Sequence, residues 1–353
     1  MKTTEKFNID DFVRESVKGL KPYSSARDEY VSDGTEMIFL DANENPYENG
    51  VNRYPDPQQR TLKTVLANQK NVSEQNILLG NGSDEVLDLL FRAFCEPGVD
   101  NVVTLPPTYG MYKVLSGINA VENKEVLLTQ DFEPEVDKIL ETVDWKTKMV
   151  FLCTPNNPTG NSFSSAKIEA ILNGFNGLVV IDEAYIDFSE QESWLSRLLD
   201  FPNLVVTQTL SKAYGMAGIR LGICYASNQI IQILNKIKPP YNVNELTQQK
   251  ALSRVNDNDA VTSEVDKILK EREVLIQELQ RLEFVEKVYP TDANFVLAKV
   301  DDAEKRYQQL LDLNVVVRNR SSQPLCNNTL RFTVGTPDEN KKLIEVLTKI
   351  SSP

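Results

Sequence analysis

The chain has 353 residues, 41% of them hydrophobic and 25% charged, which is enough for a sizeable core and about two domains of ordinary size. A net charge of −13 argues against nucleic acid and anionic membrane as partners, and no run of about 18 apolar residues is present to cross a bilayer. Histidine is absent, which excludes Ser-His-Asp and Cys-His catalysis and histidine-ligated metals; no metal site is expected, and acid–base work falls to Lys, Tyr, Asp, Glu, Cys or a cofactor.

The first 20 residues are polar and contain acids, unlike a signal or transit peptide. Cys95, Cys153, Cys224 and Cys326 are scattered, with no C-x-x-C. Both features lead to the expectation of a cytoplasmic protein with reduced thiols. Residues 1–34 read as an arm with one short helix, and Pro22 in LKPYSSAR predicts an extended entry. Met37 to Leu40 is a short apolar run. It is followed by DANENPY (41–47), a loop carrying Asn43 and Asn45, and by NRYPDP (52–57), a proline-punctuated turn. The pattern from Gln58 to Gln69 is helical.

A strand at Ile77–Leu79 leads into GNGSDEVLDLLFRAF (80–94). There two glycines precede Ser83 and Asp84 at a helix start, where exposed N–H groups can cradle a phosphate. The same residue types also serve as plain helix caps. Val102 to Leu105 is a strand ending in PPTYGMY, with Tyr109 in the turn. Ala120 to Leu127 is a further strand. Met149 to Cys153 ends in TPNNPTGN, where Asn156, Asn157 and Pro158 cannot continue a strand. Leu178 to Ile181 ends in DEAYIDF, with Asp182 at the edge and Tyr185 three residues on. Val205–Val206 runs into TQTLSKAYGMAGIRLG (207–222), with Thr209, Ser211 and Lys212 beyond the strand and Arg220 at the start of the next, Ile219 to Tyr225. At least five strands thus end in polar residues, mostly with helices between them, which predicts a mainly parallel α/β sheet with its ligand beyond the carboxyl ends of the strands.

Pro239–Pro240 marks a boundary, giving a large unit over 35–240 and a smaller α/β unit over 241–353. In the second unit, Leu246 to Leu282 reads as helix, 291–300 as strand, Glu304 to Leu313 as helix, 315–320 and 330–334 as strands, and Pro337 to Ile350 as a closing helix. This unit contributes Arg318, Arg320 and Arg331.

An acid at the base of a pocket, a hydroxyl and an amide beside it, an imine-forming lysine and a phosphate cradle with an arginine together describe a pyridoxal 5'-phosphate site. NPTG (157–160), DEAY (182–185) and SKAYGMAGIRLG (211–222) resemble the fold-type I aminotransferases. LKPYSSAR, LDANENPY, NRYPDP, GNGSDE and VVVRNR…LRFTVGT narrow the resemblance to the histidinol-phosphate aminotransferase family, in the same order from about residue 20 to 350.

The resemblance implies a pyridoxal-phosphate-dependent transferase fold of type I, with a seven-stranded, mainly parallel sheet. It also implies transamination of L-histidinol phosphate with 2-oxoglutarate in histidine biosynthesis. It assigns Lys212 to the Schiff base, Asp182 to the pyridine nitrogen, Tyr185 and Asn157 to the ring oxygen and Tyr109 to stacking on the ring. Ser83, Asp84, Thr209, Ser211 and Arg220 fall to the phosphate, joined by Tyr54 of the partner subunit in a homodimer. Arg331 would clamp the carboxylate of the second substrate, and Arg318, with Tyr23, Asn43 and Asn157, would hold the first. Arg320, two residues from Arg318, is open to sharing the anion or to being a solvated strand-end charge. The link from Asn45 to Asn52 is shorter than in most relatives. An aromatic or broad-range aminotransferase and a threonine-phosphate decarboxylase share much of this motif set and stay open at this point.

Overall fold

The computed structural model describes residues 7–22 and 37–351. Its centre is a seven-stranded sheet of β1 (Ile77–Asn81), β2 (Asn101–Thr104), β3 (Glu122–Glu125), β4 (Thr147–Cys153), β5 (Leu178–Asp182), β6 (Leu204–Thr209) and β7 (Leu221–Ala226), in the order β1-β7-β6-β5-β4-β2-β3. The pairs β3–β2, β2–β4, β4–β5 and β5–β6 are parallel, and β7 runs antiparallel to both β6 and β1. The central strands are buried on both faces, as covered parallel sheets require. The strand alternation divides them between two cores. Val150, Leu152, Val179, Ile181 and Val206 face one, while Met149, Phe151, Leu178, Val180 and Val205 face the other.

The reversal of β7 has a local cause. Residues 210–220 between β6 and β7 hold one 3-10 turn, Ala217–Ile219, and no α-helix, too little chain for a parallel crossover. The chain therefore turns back at the carboxyl end of β6, so the start of β7 shares that edge with the ends of β1, β4, β5 and β6. The register sets Gly222 opposite both Gly80 and Thr209. A Cβ on Gly222 would stand 2.2 Å from the Ser83 backbone nitrogen, so glycine here lets the helix Ser83–Phe94 start against β7.

The second sheet is antiparallel, with β8 (Val285–Val288), β9 (Phe295–Val300), β10 (Arg318–Asn319) and β11 (Thr329–Thr333) in the order β10-β11-β9-β8. Val296, Ala298, Leu330 and Phe332 pack with Leu275, Leu310, Leu343 and Leu347 of the helices behind it. Phe295 and Leu297, on the alternate face of β9, join the core of the large sheet. The face of β11 opposite Leu330 and Phe332 carries Arg331.

Several elements differ from the sequence reading. The helical run from Leu246 breaks at Asn256–Asp257 into Glu245–Val255 and Asn258–Gln280, and the first of these packs on Arg60–Lys70. Both break residues compete for backbone hydrogen bonds and favour helix ends. The strand expected over 315–320 shrinks to Arg318–Asn319. β8 was not anticipated, because Glu286 and Lys287 interrupt any apolar alternation. Among the described residues no helix is long and apolar enough to cross a membrane.

Directly after Asp182, Glu183 is fully buried in a polar network. It accepts hydrogen bonds from Ser193 Oγ (2.5 Å), the Trp194 backbone N–H (2.7 Å) and Gln208 Nε2 (2.9 Å). Burial raises its pKa from 4.5 to about 7 against these three bonds. The folded pKa exceeds the unfolded one, so folding favours the protonated acid. The stabilising contribution is complete below about pH 4.5 and is lost as pH rises through about 7. Thermal unfolding of the wild type should therefore show stability falling across that window, with a slope approaching about 1.4 kcal/mol per pH unit from this group. Glu183→Gln should flatten that slope, whatever its effect on absolute stability.

Candidate active site

The carboxyl ends of the parallel strands surround one cavity, and Asp182 closes its base. Asp182 is the last residue of β5 and is 3% exposed. Tyr112 Oη donates to Asp182 Oδ2 (2.7 Å), and the Ala184 backbone N–H donates to Oδ1 (3.2 Å). Burial raises the Asp182 pKa, opposed first by the Tyr112 hydrogen bond. Among the described residues no lysine or arginine forms an ion pair with it; the carboxylate is desolvated, and Lys212 attracts it only from across the cavity. The same burial, with Asp182 beside it, pushes the Tyr112 hydroxyl well up and keeps it a donor. Tyr112 was not singled out from the sequence; it lies on a helix among apolar neighbours, where a core aromatic carries no distinguishing pattern.

Opposite this base, the β6–β7 connection supplies Lys212. Its amine is half-buried and held below the ordinary lysine range, first by burial, then by Arg331, with Arg220 adding to the effect. The ammonium lies 5.6 Å from the centre of the Tyr185 ring. Thr209 and Ser211, on either side of the turn, form a small hydroxyl cluster. Thr209 Oγ1 donates to Ser211 Oγ (3.0 Å) and receives the Ser211 backbone N–H (3.1 Å).

Across from these hydroxyls stands the amino end of helix Ser83–Phe94. Its cap, Gly82, has φ +78°, and a Cβ there would lie 2.5 Å from an Arg220 guanidinium nitrogen, so only glycine lets that side chain lie over the helix start. The Gly82 N–H donates to the Arg220 carbonyl (2.9 Å), and Arg220 Nη2 lies 3.6 Å from Asp84 Oδ2. Tyr109 Oη donates to the other Asp84 oxygen (3.0 Å), which fixes the ring at the cavity wall. The helix start, the two hydroxyls and the guanidinium have the donor chemistry of an anion cradle.

The third side is Asn157, in the turn after β4. The neighbouring Asn156 anchors that turn by donating to the Pro107 carbonyl (2.8 Å). Asn157 Nδ2 lies 3.5 Å from Tyr185 Oη, and its Oδ1 accepts a hydrogen bond from Arg331 Nη1. Tyr185 is 7% exposed and meets Phe295 edge to face (5.2 Å), while Arg331 lies over the same phenyl ring (4.9 Å). Arg331 is half-buried, and its pKa is pushed down to about 10, first by burial and then by Arg320.

Ten of the residues singled out from the sequence thus line one cavity: Ser83, Asp84, Tyr109, Asn157, Asp182, Tyr185, Thr209, Ser211, Lys212 and Arg220. Arg331 adjoins it through Asn157. Arg318 is exposed, whereas Arg320 is half-buried. Asn43 and Tyr54 line a different cavity of the same chain, and Tyr54 stacks on Tyr241 (4.4 Å). Tyr23 lies outside the described residues.

Residues 37–347 match the family described as "Aminotransferase class I and II". The chain is 66% identical over 342 residues to the histidinol-phosphate aminotransferase of Flavobacterium johnsoniae, covering 97% of this chain and 98% of that protein. In fold it resembles the histidinol-phosphate aminotransferase of Clostridium acetobutylicum (TM-score 0.79, 24% identity, 85% of this chain and 91% of that one). It also resembles that of Sinorhizobium meliloti in complex with pyridoxal-5'-phosphate (TM-score 0.77, 24% identity, 84% and 83%). The chain belongs to the class I and II aminotransferases.

Proposed function

We propose that this enzyme transaminates L-histidinol phosphate with 2-oxoglutarate, giving imidazole acetol phosphate and L-glutamate, with pyridoxal 5'-phosphate as cofactor. The observation that carries the reading is one cavity with an anion cradle at one end, a buried carboxylate without a direct ion pair at the other and a lysine of lowered pKa between them. The full-length similarity to proteins named histidinol-phosphate aminotransferase supports the substrate, and no observation favours the decarboxylase or a broad-range enzyme.

The residues fit the cofactor by their chemistry. A protonated ring nitrogen would supply the cation that Asp182 lacks. Tyr185 and Asn157 would hold the ring oxygen, and Tyr109 would pack against the ring. The N–H groups at Ser83 and Asp84, the hydroxyls of Thr209 and Ser211, and Arg220 would hold the phosphate. When bound, the cofactor supplies an electron sink for charge developing on the substrate carbon. Lys212 Nζ is closer to its free-amine form than a surface lysine, which suits it to take the proton from that carbon and return it on the neighbouring atom. Asn157 steers Arg331 by accepting from it, and Arg331 would receive the substrate anion.

Cytoplasmic location is part of the same reading, supported by four buried cysteines, none in a disulfide. The division of the chain into an arm over 1–34, a cofactor-binding unit over 35–240 and a small unit over 241–353 is likewise proposed, with helix Glu245–Val255 bridging the last two. A homodimer with shared sites is supported by exposed apolar side chains near Tyr54. Ile38 and Leu40 are 84% exposed, Tyr47 82% and Leu246 60%, and Leu246 lines the same cavity as Tyr54.

The half-reactions test the substrate. Histidinol phosphate should convert the loaded enzyme to its amine form in one turnover, and 2-oxoglutarate should restore it with release of glutamate. Release of CO2 from threonine phosphate, without glutamate formation from histidinol phosphate, would overturn the reading. Mixing tests the shared site. Lys212→Ala and Tyr54→Ala proteins, each impaired alone, should regain activity when subunits exchange, because one site per mixed dimer then holds both native residues. Absence of any gain would place Tyr54 outside the partner's site.

A further inference from the structure

The pairing of β10 with β11 sets Arg318 opposite Arg331, and the Arg320 N–H donates to the Thr329 carbonyl (2.9 Å), so the ladder continues one residue past Asn319. Residues two apart on a strand share a face, and directly opposite residues do as well. Leu330 and Phe332 fill the core of the small unit, so the other face of the ladder carries Arg331 with Arg318 and Arg320. The three arginines differ in burial: Arg318 is exposed, while Arg320 and Arg331 are half-buried.

Among the described residues no carboxylate pairs with Arg320 or Arg331. The Nε of each is buried without a hydrogen-bond partner, and so is the hydroxyl of Ser321, the next residue. Burial lowers the pKa of Arg320, and Arg318 adds to it; Arg320 in turn is the cation that depresses Arg331 most. Two desolvated like charges side by side, with unused donors, are costly unless an anion joins them.

We propose that Arg320 joins Arg331 as the anion receptor at the substrate end of the cavity and selects a phosphate dianion over a carboxylate there. This rests on the reading under Proposed function. A dianion gains roughly twice from two adjacent cations what a monoanion gains, and guanidinium forks match phosphate oxygens in pairs.

Calorimetric titration of L-histidinol phosphate and of histidinol into cofactor-loaded Lys212→Ala protein, with and without Arg320→Gln, separates the phosphate contribution from everything else. Arg320→Gln should weaken histidinol phosphate roughly 10- to 100-fold and leave histidinol unchanged, with Arg320→Lys in between. With Lys212 intact, the KM for histidinol phosphate should rise by a similar factor and that for 2-oxoglutarate should rise less, with kcat little altered. Equal weakening of both titrated ligands would make Arg320 a structural residue, and no weakening would remove it from the site; either result overturns the proposal. If the parent protein itself does not prefer histidinol phosphate to histidinol, the functional reading fails and the Arg320 inference with it. If the parent prefers it and Arg320→Gln preserves that preference, the inference about Arg320 alone fails.

Discussion

A carboxylate at the end of β5 has been taken out of water with no ion-pair partner among the described residues. Asp182 holds one tyrosine hydroxyl and one backbone N–H, and burial still raises its pKa. Leaving a charge in that state is among the more expensive things a folded chain can do. Tyr112, itself fully buried, is fixed as a donor by the same environment, so it steadies the charge without neutralising it. Under the proposed function, the pyridinium of pyridoxal phosphate would supply the cation that pairs with Asp182.

The rest of the large unit brings a lysine and the cradle proposed for a phosphate to that carboxylate. The short β6–β7 connection forces β7 to run backwards, which delivers Lys212, Ser211 and Arg220 to the edge where β4 and β5 end. Two glycines make the close packing possible. Gly222 lets the helix at Ser83 approach β7, and Gly82 leaves room for the Arg220 guanidinium. The cradle is thus built from backbone geometry, and its charge from one arginine. The small unit adds the arginine face of β10 and β11, tied to the large unit by the Arg331–Asn157 hydrogen bond and by Phe295 against Tyr185. In a chain of net charge −13, these arginines give an anionic substrate a local positive destination.

Much of this was legible in the sequence, for a physical reason. Apolar runs ending in Asn157, Asp182 and Thr209 mark strand ends, and a parallel sheet places all its carboxyl ends on one side, so residues far apart in the chain could be assembled without coordinates. Signals that depend on tertiary environment were not readable. Tyr112 looks like any helix-face aromatic, and Glu183 reads as the second letter of a motif although it anchors a buried network. β8 is too polar and short to show a period. The difference between Arg318 and Arg320 turns on how many residues of an edge strand pair, which alternation cannot decide. Asn43 and Tyr54, carried by resemblance, line a different cavity of the same chain from the residues around Asp182.

The central claim, that Lys212 carries the cofactor opposite Asp182, is tested most directly by reducing the loaded protein with borohydride and mapping the modified peptide by mass spectrometry. The cofactor mass should fall on Lys212 alone, in the segment TLSKAYGMAGIR, and should be absent from Lys212→Ala protein treated in the same way. Modification spread over other lysines, or retained at equal yield without Lys212, would contradict it.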